Sequence, residues 1–223
     1  WPAVGRTLAI GDVHGCVSSL KQLVDWVKPK KGDTVVMLGD YVDRGPNSKG
    51  VVEYLLDWKL KSDLIFIKGN HEQIMEDATK SSEHFGYWCD VGGFETVISY
   101  GAKLDNVPKK HWGFIKNGLP YYETGHCIFV HGGVDPDLPL EKQDLEEMAW
   151  RRFSDARPHM SGKRVICGHT VQRSGYPNDL GHSICIDTGA CRPGGWLTCL
   201  NPMTRHYWQV NEKGKTRDGV LDT

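Results

Sequence analysis

Five short clusters of metal-binding residue types recur along this chain, each beside glycine. They read Gly11-Asp12-Val13-His14-Gly15, Gly39-Asp40-Tyr41-Val42-Asp43-Arg44-Gly45, Gly69-Asn70-His71-Glu72, His131-Gly132-Gly133 and Gly168-His169-Thr170. Asp, Asn and His supply the hard oxygen and borderline nitrogen donors that suit Mn, Fe, Zn or Mg. The glycines let the backbone turn sharply and approach a ligand closely. Taken singly, each cluster reads equally well as a turn or as an ordinary hydrogen-bonded histidine. Five of them in order, each capping a strand-like apolar run, point to a metal site. Two divalent cations about 3.5–4 Å apart need a bridging ligand and carboxylate charge between them. Asp40 can bridge, with Asp12 and His14 completing one ion and Asn70, His131 and His169 the other. Such a pair acidifies a shared water and clamps phosphoryl oxygens during in-line attack.

The elements that must position these clusters are legible in the apolar periodicity. Residues 7–10, 34–38 and 64–67 read as buried strands. Between them, 18–27 and 48–60 read as helices, with Leu20, Leu23, Val24 and Val27 on one face of the first and Val51, Val52, Leu55 and Leu56 periodic in the second. This order is the pattern of βαβ units, whose strand ends gather ligands. Residues 71–77, 93–99 and 108–117 look helical. Beyond about residue 120 strands dominate, at 121–123, 127–130, 164–167, 183–186, 196–200 and 206–210, with one helix expected near 140–151. One domain over 1–223 is expected, with the polar, glycine-bearing stretch 211–223 as a fraying tail.

Bulk properties narrow the partners. At 223 residues with 39% hydrophobic and 25% charged, the chain is an ordinary globular sequence. A formal net charge of −1 disfavours nucleic acid as a partner. Seven cysteines without a C-x-x-C pair argue against a disulfide framework or a Cys-ligated zinc. A reducing, cytoplasmic setting, a monomer and no membrane partner are the expectations, with no apolar run near the length of a span.

The ordered set GDVHG, GDYVDRG, GNHE, HGG and GHT resembles the signature of the phosphoprotein phosphatase family among the calcineurin-like metallophosphoesterases. Gln73, Met75, Trp88 and the paired glycines Gly92 and Gly93 are similar to its bacterial and bacteriophage lambda-type branch, as is the stretch Ile186-Asp187-Thr188-Gly189-Ala190. The resemblance implies an α/β (α+β) fold, a central β-sandwich of mixed sheets flanked by helices. It implies two divalent ions, manganese first among Mn, Fe, Zn, Mg and Ni, held by Asp12, His14, Asp40, Asn70, His131 and His169. His71 would protonate the leaving group, held by Asp43. Arg44 and Asn70 would bind the phosphate. A second arginine clamp is expected in Ala149-Trp150-Arg151-Arg152, where the pattern favours Arg152. Glu72 and Thr170 would support ligands rather than touch substrate.

The implied reaction is hydrolysis of phosphomonoesters by direct attack of a hydroxide bridging the ions. Its substrates would be phosphoserine and phosphothreonine proteins, with phosphotyrosine and small phosphoesters admitted because the tyrosine-bearing loop of eukaryotic members is not seen. Two alternatives stand beside it: a symmetrical dinucleoside polyphosphate hydrolase, and a non-catalytic scaffold that keeps the fold. The remaining histidines (His84, His111, His126, His159, His182, His206) and the tryptophans Trp88, Trp112 and Trp150 are expected to be structural, the tryptophans as core.

Overall fold

The structure is a computed structural model that describes residues 5–59 and 63–222. Strands β1 (Thr7–Ile10), β2 (Thr34–Met37) and β3 (Asp63–Phe66) lie parallel and in register, joined by α1 (Val17–Val27) and α2 (Ser48–Lys59). Residue 60, assigned to the second helix by periodicity, lies outside the described residues. Helices α3 (Asn70–Asp77), α4 (Ser82–Trp88), α5 (Phe94–Ser99) and α6 (Lys109–Lys116) follow. Strands β4 (Tyr121–Glu123), β5 (Cys127–Val130), β6 (Arg164–Cys167), β7 (Asn178–Asp179), β8 (Ser183–Cys185), β9 (Leu197–Leu200), β10 (His206–Val210) and β11 (Thr216–Val220) complete the chain.

The strands form a six-stranded sheet, β11-β10-β9-β1-β2-β3, and a five-stranded sheet, β4-β5-β6-β8-β7. Both are mixed: in the first, parallel β1, β2 and β3 form one side and antiparallel β9, β10 and β11 the other, while in the second parallel β5, β6 and β8 are flanked by antiparallel β4 and β7. Alternation along each strand assigns its two faces. In β1, Leu8 and Ile10 pack with α1 and α2, while Ala9 turns to the other sheet. Ala9, Val36 and Leu38 meet Phe129, Ile166 and Ile184 across the sandwich. Ile128, Val130, Val165 and Cys185 instead face the segment carrying Leu140, Met148 and Phe153. Strands buried on both faces read as unbroken apolar runs, which made them easy to find in the sequence.

Three expectations are corrected. Residues 140–151 form no helix, only 3₁₀ turns at Leu140–Lys142 and Glu147–Ala149. Asp144 Oδ1 accepts the N–H groups of Glu146 and Glu147 at 3.0 and 3.2 Å, which restarts a turn, and the Gln143 side chain bonds Asp135 and Leu138 instead of lying along a helix. The tail does not fray throughout, because Thr216–Val220 pairs with β10 along five residues. Its side chains are largely exposed, so no apolar pattern announced a strand held by backbone bonds. Trp150 is no core residue; it is 44% exposed. Helix α4 was not anticipated either, although Ser81 caps it by accepting the His84 N–H at 3.2 Å.

Candidate metal centre and active site

The five motifs converge at the carboxyl ends of β1, β2, β3, β5 and β6, because parallel strands in register bring their following loops to one edge. His14, Asp40, Asp43, Arg44 and His169 all have positive φ, at 43°, 51°, 72°, 66° and 62°. Left-handed backbone at non-glycine residues is unfavourable and persists where the surroundings enforce it. Here the surroundings are hydrogen bonds. Glu72, buried in the first turn of α3, accepts the N–H groups of Asp40, Tyr41 and Gly69 at 2.9, 2.8 and 2.9 Å. Gly69 is required because a β-carbon there would collide with Asp40 Oδ1, and Gly168 because one would collide with Asp12 Oδ1.

Asp40 is the centre of the site. Together with His14 and His71 it offers three ligand atoms lying within 4.8 Å of one another, and it does the same with His131 and His169. Asn70 Oδ1 lies 3.0 Å from both His131 Nε2 and His169 Nδ1. Outer partners fix the rings: His14 Nδ1 donates to the Val42 carbonyl and His131 Nδ1 to the Leu38 carbonyl, each at 2.8 Å. That leaves each Nε2 directed at the shared space, as a ligating imidazole requires. Asp12 is buried beside them but joins neither three-residue group; its carboxylate faces the His169 N–H at 3.1 Å.

Burial and charge set the protonation states. Burial lowers His14 to about 3 despite Asp40, and lowers His169 to about 4 with His131 adding to the effect. His131 goes the other way: burial opposes its charge, but Asp40 raises it to about 10. Burial, then Asp187, pushes Asp12 well above the usual carboxylate range. Neutral His14 and His169, with protons held on His131 and Asp12, match a centre that exchanges protons for cations.

Beside this centre stands a buried acid–imidazole pair. His71 Nδ1 donates to Asp43 Oδ2 at 2.7 Å. Burial opposes charging His71, yet Asp40 and Asp43 together hold its pKa above the ordinary value. Asp43, fully buried, also accepts Trp88 Nε1 at 3.0 Å from each oxygen and the Thr96 hydroxyl at 2.7 Å. Ser48 Oγ lies 2.8 Å from Thr96 Oγ1, and both accept the Asp43 N–H.

Arg44 is exposed, with Nη1 donating to His14 Nε2 at 3.1 Å and its N–H to Gly92 O at 2.8 Å. Of the two neighbouring arginines, Arg151 is committed to Asp135 and Glu147, at 3.2 and 3.3 Å. Arg152 is exposed and its charge acts on His169. Thr170 Oγ1 accepts the Phe153 N–H at 2.9 Å and so ties the His169 loop to the arginine loop. Trp88, Thr96 and Ser48 were missed as parts of the site, and so was Asp187, which burial raises to about 6. For Trp88 the available signal was its spacing from Gly92 and Gly93: a β-carbon on Gly93 would strike the indole.

A mixed-sheet sandwich with Asp, His and Asn gathered at its strand ends defines a phosphoesterase of the binuclear-site type. The family model described as calcineurin-like phosphoesterase matches residues 5–186. Serine/threonine-protein phosphatase 1 of Salmonella typhimurium strain LT2 is 31% identical, covering 85% of this chain and 88% of that protein. A symmetrical bis(5'-nucleosyl)-tetraphosphatase of Pseudomonas fluorescens strain SBW25 is 30% identical over 61% of this chain and 46% of its own length. A crystal structure described as a putative diadenosine tetraphosphatase shares the fold, with TM-score 0.66 at 20% identity, covering all of this chain and 96% of that one. This chain belongs to the calcineurin-like phosphoesterases and, among them, to the phosphoprotein phosphatase family. It is therefore a phosphoester hydrolase. No helix among the described residues is long and apolar enough to cross a membrane.

Proposed function

We propose that the chain is a metal-dependent phosphoprotein phosphatase that hydrolyses phosphomonoesters on serine, threonine and, less selectively, tyrosine. The observation that carries this reading is the 2.7 Å bond from His71 to Asp43 beside the shared Asp40, with exposed Arg44 next to it. Asp12, His14, Asp40, Asn70, His131 and His169 would hold two divalent ions, manganese before Fe, Zn, Mg or Ni. Their fit rests on donor chemistry, since carboxylate, amide oxygen and imidazole suit those metals. When bound, such ions supply Lewis acidity toward water and phosphoryl oxygen.

The chain's own residues do the rest. Exposed Arg152, and Arg44 through the guanidinium N–H groups not given to His14, would hold phosphate oxygens, since a guanidinium fork matches them. Asn70 adds an amide to the same oxygens. His71, kept charged by Asp43, delivers its proton from Nε2 to the leaving alkoxide, which serine and threonine esters need.

A second reading, hydrolysis of symmetrical dinucleoside polyphosphates, is supported by the relatives of that name. The phosphatase relative matches over nearly its whole length, and the Pseudomonas fluorescens nucleotide hydrolase over less than half. An assay of phosphopeptides, aryl phosphates and diadenosine tetraphosphate, repeated with Mn, Mg, Ni and Zn, separates the two. Turnover of the dinucleotide alone overturns the first reading.

A further inference from the structure

The loop between β8 and β9 leaves the site at buried Asp187 and returns at Trp196. Its ends are tied, with the Thr188 hydroxyl donating to the Trp196 carbonyl at 2.6 Å and the Trp196 N–H to the Thr188 carbonyl at 3.0 Å. Facing it is the β10–β11 turn, pinned to α1 by the Gln22 side-chain amide donating to the Gly214 carbonyl at 2.9 Å. Within the turn, Asn211 Oδ1 accepts the N–H groups of Lys213 and Lys215 at 3.0 and 2.9 Å. Loop and turn enclose a groove of about 460 Å³, lined among others by Cys191, Arg192, Trp196, Lys213 and Lys215.

One wall is rigid. The Arg217 guanidinium is stacked 4.1 Å from the Trp196 ring and 3.8 Å from the Tyr176 ring, which fixes the indole in place. The charges are unbalanced. Arg192, Lys213 and Lys215 are exposed, and none has a carboxylate partner among the described residues. The one acid on the lining, Glu212, turns an oxygen to the Cys16 thiol. The inner end lies near the site, because Cys191 lines it and feels the charge of Arg44.

We propose that this groove binds acidic residues flanking the phosphorylated residue, so that the enzyme prefers acidic phosphopeptides. The inference rests on the phosphatase reading given above. Unpaired cations beside a fixed aromatic wall complement carboxylates on an extended peptide, and no cation has to give up an internal partner to bind them.

The test compares two phosphoserine peptides, one with acidic and one with neutral flanks, and p-nitrophenyl phosphate, which is too small to reach the groove. The wild type is expected to favour the acidic peptide by about tenfold in kcat/KM, chiefly through KM, as three surface charge pairs allow. Added salt should shrink that preference. The double variant Lys213→Glu with Lys215→Glu should abolish it, Arg192→Ala should reduce it, and both should keep the aryl phosphate rate. Equal rates on the two peptides in the wild type, or a preference unchanged in the double variant, would overturn the groove proposal alone. Failure to hydrolyse either peptide while diadenosine tetraphosphate is split would overturn the phosphatase reading and the groove proposal with it.

Discussion

Trp88 Nε1 stands 3.0 Å from both carboxylate oxygens of Asp43, so the largest fully buried side chain is also a hydrogen-bond donor to the partner of His71. With Thr96 giving a further bond at 2.7 Å, Asp43 is oriented by residues from α4 and α5 rather than by its own loop alone. The indole therefore links core packing to the orientation of His71, the proposed proton donor. Trp88→Phe keeps a ring in the core and deletes the donor. An unmet buried acceptor costs about 1–3 kcal/mol. Thermal or denaturant unfolding should register that loss, and kcat on a phosphoserine peptide should fall about tenfold, more than on p-nitrophenyl phosphate. Equal rates on both substrates, matching wild type, would count against the link.

His71→Asn separates proton delivery from binding. General acid catalysis contributes about 10²–10⁴-fold. The variant should lose a factor of that order on alkyl phosphates and far less on activated aryl phosphates, whose leaving groups need no proton. A leaving-group series measured at fixed pH checks this, and parallel losses along the series reject His71 as the acid.

Asp40 is common to both three-residue groups, whereas His169 belongs to one. Asp40→Asn should abolish binding of both ions, and His169→Ala should weaken one. Asp12→Asn should also lose metal and nearly all activity. Metal content after dialysis, read by elemental analysis, distinguishes these outcomes without any assay of turnover.

The pH dependence of stability has one source far from the site. Burial opposes the Asp33 charge, but the Arg6 side chain, donating at 2.9 and 2.6 Å, and the N–H groups of Arg6 and Lys30 outweigh it and lower its pKa. A carboxylate lowered in the folded state stabilises above its unfolded pKa, and the contribution is lost as pH falls through the folded value. Arg6→Gln should therefore cost stability at neutral pH, by about 1 kcal/mol because the guanidinium is partly exposed. The difference from wild type should shrink as pH falls below the unfolded carboxyl value of about 3.9 and vanish once it has passed the lower folded value. Urea titrations at pH 7 and in that acid range measure it.

How much was legible depended on the range of the interaction. Strands 127–130 and 164–167 were read at the observed bounds because burial on both faces leaves an apolar run. Strands 121–123 and 206–210 were read at the observed bounds as well, although they are only partly buried. Strand β11 was not, since it is an edge held by backbone pairing and leaves no side-chain pattern. Residues 140–151 misled because their apolar spacing resembles a helix, while Asp144 and Gln143 divert the backbone into turns.

The gathering of Asp, Asn and His residues at one place followed from local features: donor types, glycines beside them, and strand-like runs before them. These survive in a linear reading because each is set by neighbours in sequence. Tertiary structure decided the rest. It joined Asp40 to two groups of histidines, turned Asp12 toward the His169 backbone, engaged Arg151 while leaving Arg152 exposed, and set Trp88 and Thr96 on Asp43 from 45 and 53 residues away. Those relationships depend on how helices pack across the sheet, and no periodicity within a segment encodes which distant partner its buried polar atom will meet.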